Sequence, residues 1–187
     1  MKKIALVLIA IFVISAVSFA GDIAKSGSWG IQTSLGVASS PIQSTNSIGM
    51  KFWASDNMAI RVEAGFSSFT PASGGDATSG YAVGAGFEYH MTPMGSLSPY
   101  VGLEVGYGGG SVPGGGTIPS SIGINGAWGA EYFFASNFSW AGEVQLGYVS
   151  TSNVYFGNDV NGNPQYGTES AFGTGSATMT LSWYLGQ

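Results

Sequence analysis

The chain contains no cysteine, only five Lys or Arg residues among 187, and a single histidine. Without cysteine there is neither a disulfide framework nor a thiolate metal centre. Five cations cannot form a basic patch, which excludes nucleic acid as a partner. Charged residues of both signs make up 8% of the chain, far below the roughly 25–35% that keeps a soluble surface wet. Disorder is excluded as well, because 44% of the residues are hydrophobic and 13% aromatic, whereas disordered chains are polar and charge-rich. After the N-terminus there is no apolar run of about 20 residues, so no helix of the chain spans a bilayer.

The N-terminus itself has a recognisable order. Met1-Lys2-Lys3 precedes an apolar stretch from Ile4 to Val17, and Ser18-Phe19-Ala20 follows. A charged start, a short apolar run and a small-x-small site together predict a signal peptide over residues 1–20, with residues 21–187 as a single exported domain. The apolar run is too short for a comfortable transmembrane helix, and no cationic stop follows it.

What the chain does contain is period-2 alternation. Eight strands are predicted, over 28–38, 46–54, 58–69, 80–91, 100–108, 120–135, 138–150 and 171–185. Most reach the 9–11 residues that a tilted membrane strand needs. One face of each is apolar: Trp29, Ile31, Leu35 and Val37 in the first, for example, and Tyr81, Val83, Ala85, Phe87 and Tyr89 in the fourth. The few charges fall on the opposite face. Lys51, Arg61, Glu63, Glu88, Glu104, Glu131 and Glu143 all share it with Gly, Ser and Ala. Four connections, 39–45, 70–79, 109–119 and 151–170, are long and polar, whereas Ser55-Asp56-Asn57 and Ala135-Ser136-Asn137 are tight turns. The connection 92–99 is intermediate in length.

Alternation alone does not say which face points outward. A secreted lipocalin-like barrel would place the apolar face inside and bind a ligand there. Three features oppose it. The polar face is rich in glycine, which suits the crowded interior of a small barrel better than an exposed strand surface. Aromatic residues gather near strand ends on the apolar face: Trp29, Phe52, Tyr89, Phe134, Trp140 and Trp183 at one rim, Phe66, Tyr81, Tyr107 and Tyr148 at the other. Two such girdles mark membrane interfaces. Finally, charge is too sparse for a wet exterior. The predicted fold is therefore all-β, an eight-stranded antiparallel up-and-down transmembrane barrel, since only helices and closed barrels satisfy every backbone group in lipid.

The eight alternating segments, the run Gly49–Glu63 with its Ser-Asp-Asn turn, and the final strand Met179–Leu185 resemble the small eight-stranded outer-membrane barrels of the OmpA transmembrane-domain and OmpX type. The resemblance covers essentially all of residues 21–187. It implies location in the bacterial outer membrane, with outer-membrane lipid and the barrel-assembly machinery as partners. Alternating Leu181, Trp183 and Leu185 resemble the terminal signal that this machinery reads, displaced by the final Gly186-Gln187.

The seven interior charges each lie about four to six residues from the short-turn end of their strands, which predicts one charge layer in a narrow lumen. The main reading is structural: Arg61 and Lys51 pair with Glu, and Gln32, Asn125 and Gln145 satisfy the remainder, while Trp53, Tyr100 and Tyr184 fill space. The alternative is a narrow passive pore or cation path, since five carboxylates against two cations leave negative charge that proton or cation uptake would relieve. His90 shares the inward parity and is expected to be a hydrogen-bonded residue near the barrel mouth. A lipid-modifying enzyme would need its Ser-His-acid set on the lipid-facing surface, so no catalytic residue is assigned. The glycine run 108–116 lacks the Lys-Ser/Thr and following helix of a phosphate cradle, and the Asn- and Asp-containing stretch 158–163 lacks the spaced carboxylates of a calcium loop. No cofactor or metal is therefore expected. Function is expected to be structural or interactive, with an extracellular ligand or surface meeting loops 70–79, 109–119 and 151–170.

Overall fold

The computed structural model describes residues 26–38, 46–69, 78–111 and 119–185. The predicted signal peptide, the connection 39–45, most of 70–79 and the middle of 109–119 lie outside the described residues. So do Gly186 and Gln187.

Eight strands follow one another in chain order: β1 (Trp29–Ala38), β2 (Asn46–Ser55), β3 (Met58–Phe69), β4 (Thr78–His90), β5 (Leu97–Ser111), β6 (Ser120–Ala135), β7 (Phe138–Asn158) and β8 (Pro164–Leu185). Each pairs antiparallel with the next, and β1 pairs with β8, closing the barrel. No described residue is helical. Closure leaves no free edge around the wall, so the backbone groups there are satisfied by inter-strand pairing.

Turn chemistry sets the short end of the barrel. The Ser55 hydroxyl donates to Asn57 Oδ1 at 2.8 Å, holding the β2–β3 turn, and small register shifts at Trp53/Ser55 and Phe133/Ala135 tighten the two shortest hairpins. The 92–99 connection closes through a Met94–Leu97 bridge, with Gly95 at φ 64°, a conformation glycine adopts at no steric cost. Just inside this end lies the apolar floor of the lumen. Trp53, Ala59, Phe133 and Tyr184 are fully buried together, with the Phe133 and Tyr184 rings stacked at 5.9 Å.

Alternation places the remaining apolar residues on the outer wall. Phe66, Trp128 and Trp183 are 73%, 68% and 60% exposed, and Ile31, Val62, Leu103 and Leu146 stand out between them. The inner face carries the polar and charged residues. This is the reverse of a lipocalin, in which the apolar side chains fill the cup.

One boundary differs clearly from expectation. The segment 151–170 is not a loop: β7 runs to Asn158 and β8 begins at Pro164, so both strands continue as a ribbon with only a tight turn between them. Alternation is hidden there because the register shifts at Thr151/Val154 and Tyr155/Gly157 insert extra residues into β7. Asn153, with φ 60°, lies at the first of these. Similarly, β5 continues through Gly108–Gly110 to Ser111, since the glycines pair with β4 rather than ending the strand.

Candidate functional site

The most heavily constructed region is the lower lumen, where six strands contribute charged side chains. Arg61 on β3 reaches across the barrel. Its Nη1 donates to Glu88 Oε1 at 3.0 Å and to Glu143 Oε2 at 2.8 Å, and its Nη2 donates to Glu104 Oε2 at 2.5 Å and to Glu143 Oε1 at 2.9 Å. Glu143 is thus gripped by both guanidinium nitrogens, the fork geometry in which arginine binds a carboxylate most firmly. Tyr100 donates to the same carboxylate at 3.0 Å and Gln145 Nε2 donates to it at 2.6 Å.

Nearer the floor, Lys51 on β2 bridges Glu88 Oε2 at 2.5 Å and Glu131 Oε2 at 2.7 Å. Its ammonium also lies over the rings of Trp53 and Tyr100, 5.2 and 5.5 Å from their centroids, within cation–π range. Glu131 accepts from Tyr184 at 2.6 Å and from Ser139. Glu88 is the joint between the tiers, since both Lys51 and Arg61 contact it.

Glycine makes the crowding possible. A Cβ at Gly86 would lie 2.9 Å from Arg61 Nε, and one at Gly129 would lie 2.6 Å from Tyr100 Cζ. Both large side chains lie flat against a wall that has been cleared for them.

Six of the seven sequence-predicted charges therefore form one contiguous network. Glu63 stands at its margin: it accepts from Ser47 at 2.9 Å and helps line a small polar pocket above Arg61, with Ser34, Gln145, Thr178 and Thr180. The expected roles of the amides divide. Gln145 serves the charges, whereas Gln32 donates to Ser182 at 3.0 Å. Asn125 packs against the glycine surface at Gly147.

His90 is more deeply involved than a mouth residue. It is buried between Trp53 and Tyr100, with ring centroids 4.3 and 5.0 Å away. Nε2 meets Glu88 Oε2 at 3.0 Å and Nδ1 meets the Ser98 hydroxyl at 2.8 Å. A serine, an imidazole and a carboxylate in line have the partners of a hydrolytic triad. Ser98, however, is 0% exposed, and the row is enclosed by the network. Ser98 was missed in the sequence because only the β4–β5 pairing brings it beside His90.

Glu88, His90 and Glu131 also present ligand atoms within 4.8 Å of one another, as a small divalent ion would require. The Lys51 ammonium already bridges the two carboxylates of that set, so a resident cation is supplied by the chain itself.

No family model matches the chain, and no curated protein matches it. Solved structures do. The outer membrane protein AlkL, determined by solid-state NMR in DMPC lipid bilayers, aligns with a TM-score of 0.50 at 13% identity, over 88% of this chain and 92% of that one. The N-terminal β-barrel domain of Pseudomonas aeruginosa OprF aligns at 0.49 and 14%, covering 86% and 98%. OprG of the same organism aligns at 0.48 and 15%, covering 91% and 100%. The likeness to AlkL is one of fold.

Proposed function

We propose that this chain is a bacterial outer-membrane β-barrel whose lumen is closed by the ion network and whose work is done at its long-loop face, as a structural or surface-interaction protein. The observation that carries this reading is the network itself. Arg61 and Lys51 join strands on opposite sides of the lumen above a floor of Trp53, Phe133 and Tyr184. A conducting path would have to break several charge-assisted hydrogen bonds at once. The apolar wall with its two aromatic rims supports the membrane location, and the short turns would then face the periplasm. The ion pairs of Glu88 with Lys51 and Arg61, and the burial of Ser98 and His90, support a non-catalytic role.

Two measurements test the proposal. Purified protein in planar bilayers should show little or no steady conductance; a stable ohmic channel would move the assignment to the narrow passive pore. Cells producing the chain should carry it in the outer-membrane fraction, with externally added protease cutting within residues 151–170. Recovery of the intact chain, signal segment included, from the inner membrane would overturn the location.

A further inference from the structure

The chain contains two Asn-Gly steps, Asn125–Gly126 and Asn161–Gly162, and the fold treats them in opposite ways. An asparagine before glycine carries its own reaction. The glycine nitrogen can attack the side-chain amide carbon, because no Cβ stands in the way, and water is the only other reactant needed. In β6 that reaction is blocked. Asn125 is buried and packs against Gly147, while Gly126 is paired with Leu103 on one side and Leu146 on the other. The backbone there is held extended in the middle of the wall.

At the tip of the β7–β8 hairpin the same dipeptide stands in the open. Val160, Asn161 and Gly162 are all exposed. Among the described residues no hydrogen bond holds the Asn161 side chain, whereas the side chains of Asn158 and Asn163 are tied to Tyr155 and Asp159. Gly162 has φ 84°, a left-handed conformation that favours glycine at this place. One device restrains the pair. The Gly162 N–H donates to the Asp159 carbonyl at 3.0 Å, and Asp159 Oδ1 accepts from the backbone of Asn161 at 2.8 Å and of Asn163 at 2.9 Å. While these bonds last, the glycine nitrogen is engaged as a donor, so attack needs the turn to open.

We infer that Asn161 is a self-modification site, converted with time through a cyclic imide to an aspartyl or isoaspartyl residue at a rate set by the Asp159 turn. The Gly162 nitrogen gives up its proton and bonds to Asn161 Cγ. The bond from Cγ to the side-chain nitrogen breaks, and ammonia leaves with the proton. Water then adds to either imide carbonyl. Opening one imide C–N bond gives the aspartyl residue; opening the other gives the isoaspartyl residue, whose main chain runs through the former side chain. Nothing is oxidised or reduced. Either product places a new carboxylate beside Asp159, where like charges repel. The isoaspartyl form also adds a backbone atom, which misaligns the closing bond from the Asp159 N–H to the Asn163 carbonyl, 2.8 Å in the unmodified turn. The hairpin tip thus gains charge and loses its fixed shape as the molecule ages, while the barrel below is untouched.

The test follows the full chain, extracted folded from membranes and held in lipid nanodiscs at mildly alkaline pH in water enriched in heavy oxygen. Mass spectrometry of proteolytic peptides reads amide loss and heavy-oxygen uptake at each asparagine. Label should accumulate at position 161 and not at position 125. Its rate should be several times below that of a free peptide spanning residues 159–166. Asp159→Ala should raise the rate about fivefold or more, because the hydrogen bonds that close the turn are gone. Asn161→Gln, whose longer side chain must close a larger ring, should take up no label there. Retention of the heat-sensitive gel mobility of a closed barrel confirms that each variant is folded. No label at position 161 once the free peptide has converted would overturn the site. Equal labelling at 125 and 161 would trace the reaction to unfolded chain and overturn it as well. An Asp159→Ala rate equal to that of wild type would overturn the turn as its control.

Discussion

Arg61 makes four hydrogen bonds to three carboxylates through two nitrogens, and no other residue of the lumen can replace it. Arg61→Leu should destabilise the barrel by roughly 3–5 kcal/mol, the cost of leaving buried charge without a partner. Urea titration of refolded protein would measure it. Identical unfolding of variant and wild type would show that Arg61 does not hold these carboxylates. Arg61→Lys should recover only part of the loss, since an ammonium cannot grip Glu143 with a fork. Gly129 makes the complementary case. Gly129→Ala would place a methyl 2.6 Å from the Tyr100 ring and 2.7 Å from the Gly142 carbonyl. Tyr100 is buried and cannot swing away, so overpacking of about 1–3 kcal/mol is expected in the same titration. The seven charges were legible in the sequence because parity alone assigns them to one face. Their pairings were not, because Lys51 and Glu131 lie 80 residues apart and parity does not say which carboxylate meets which cation. The Ser98–His90 contact was hidden for the same reason.

At the scale of elements, the β7–β8 ribbon shows where pattern reading fails. β6 and β3 match their predicted limits because unbroken alternation runs the length of each. In β7 two insertions of extra residues shift the period, so Tyr155 and Phe156 stand next to each other in a stretch that otherwise looks like a polar loop. The turn at the tip is held by Asp159, whose Oδ1 accepts from the backbone of Asn163 at 2.9 Å and of Asn161 at 2.8 Å. These backbone donors, Asn163 first, hold the carboxyl below its ordinary range. A depressed value means that the contribution to turn order is present above the ordinary carboxylate range and is lost as pH falls through the lowered one. NMR titration should therefore find Asp159 protonating at lower pH than a free aspartate. Asp159→Ala should raise amide exchange at Asn161 and Asn163 while leaving the barrel strands protected. Unchanged exchange at those two amides would remove Asp159 from the role of turn holder.

For the molecule as a whole, the inside-out arrangement can be read through its five tryptophans. Trp29, Trp128 and Trp183 are exposed on the outer wall and Trp140 is partly so, whereas Trp53 is fully buried in the floor. In bilayers containing brominated acyl chains, a variant keeping only Trp183 should lose much of its fluorescence, and one keeping only Trp53 should be little quenched. The opposite ranking would restore the lipocalin-like arrangement. Fold class was legible because three independent patterns, sparse charge, alternation and aromatic rims, each require the same answer. What the barrel would meet at its long-connection end was not, because the Gly-, Ser- and Asn-rich stretches there carry no motif that names a ligand.

The ion pairs of the lumen have a mechanical consequence. In a ring of eight strands, β2 stands opposite β6 and β3 stands opposite β7. Lys51–Glu131 and Arg61–Glu143 are therefore diameters of the ring, crossing like two spokes of a wheel. A hydrogen-bonded cylinder is stiff along its strands but easily squeezed into an oval. Each spoke resists a change in the diameter it spans, because stretching the ring along it pulls the ion pair apart and squeezing along it crowds the paired side chains together. Neither spoke can be fitted until strands far apart in the chain have met, so the cross-section gains its rigidity only in the last stage of closure.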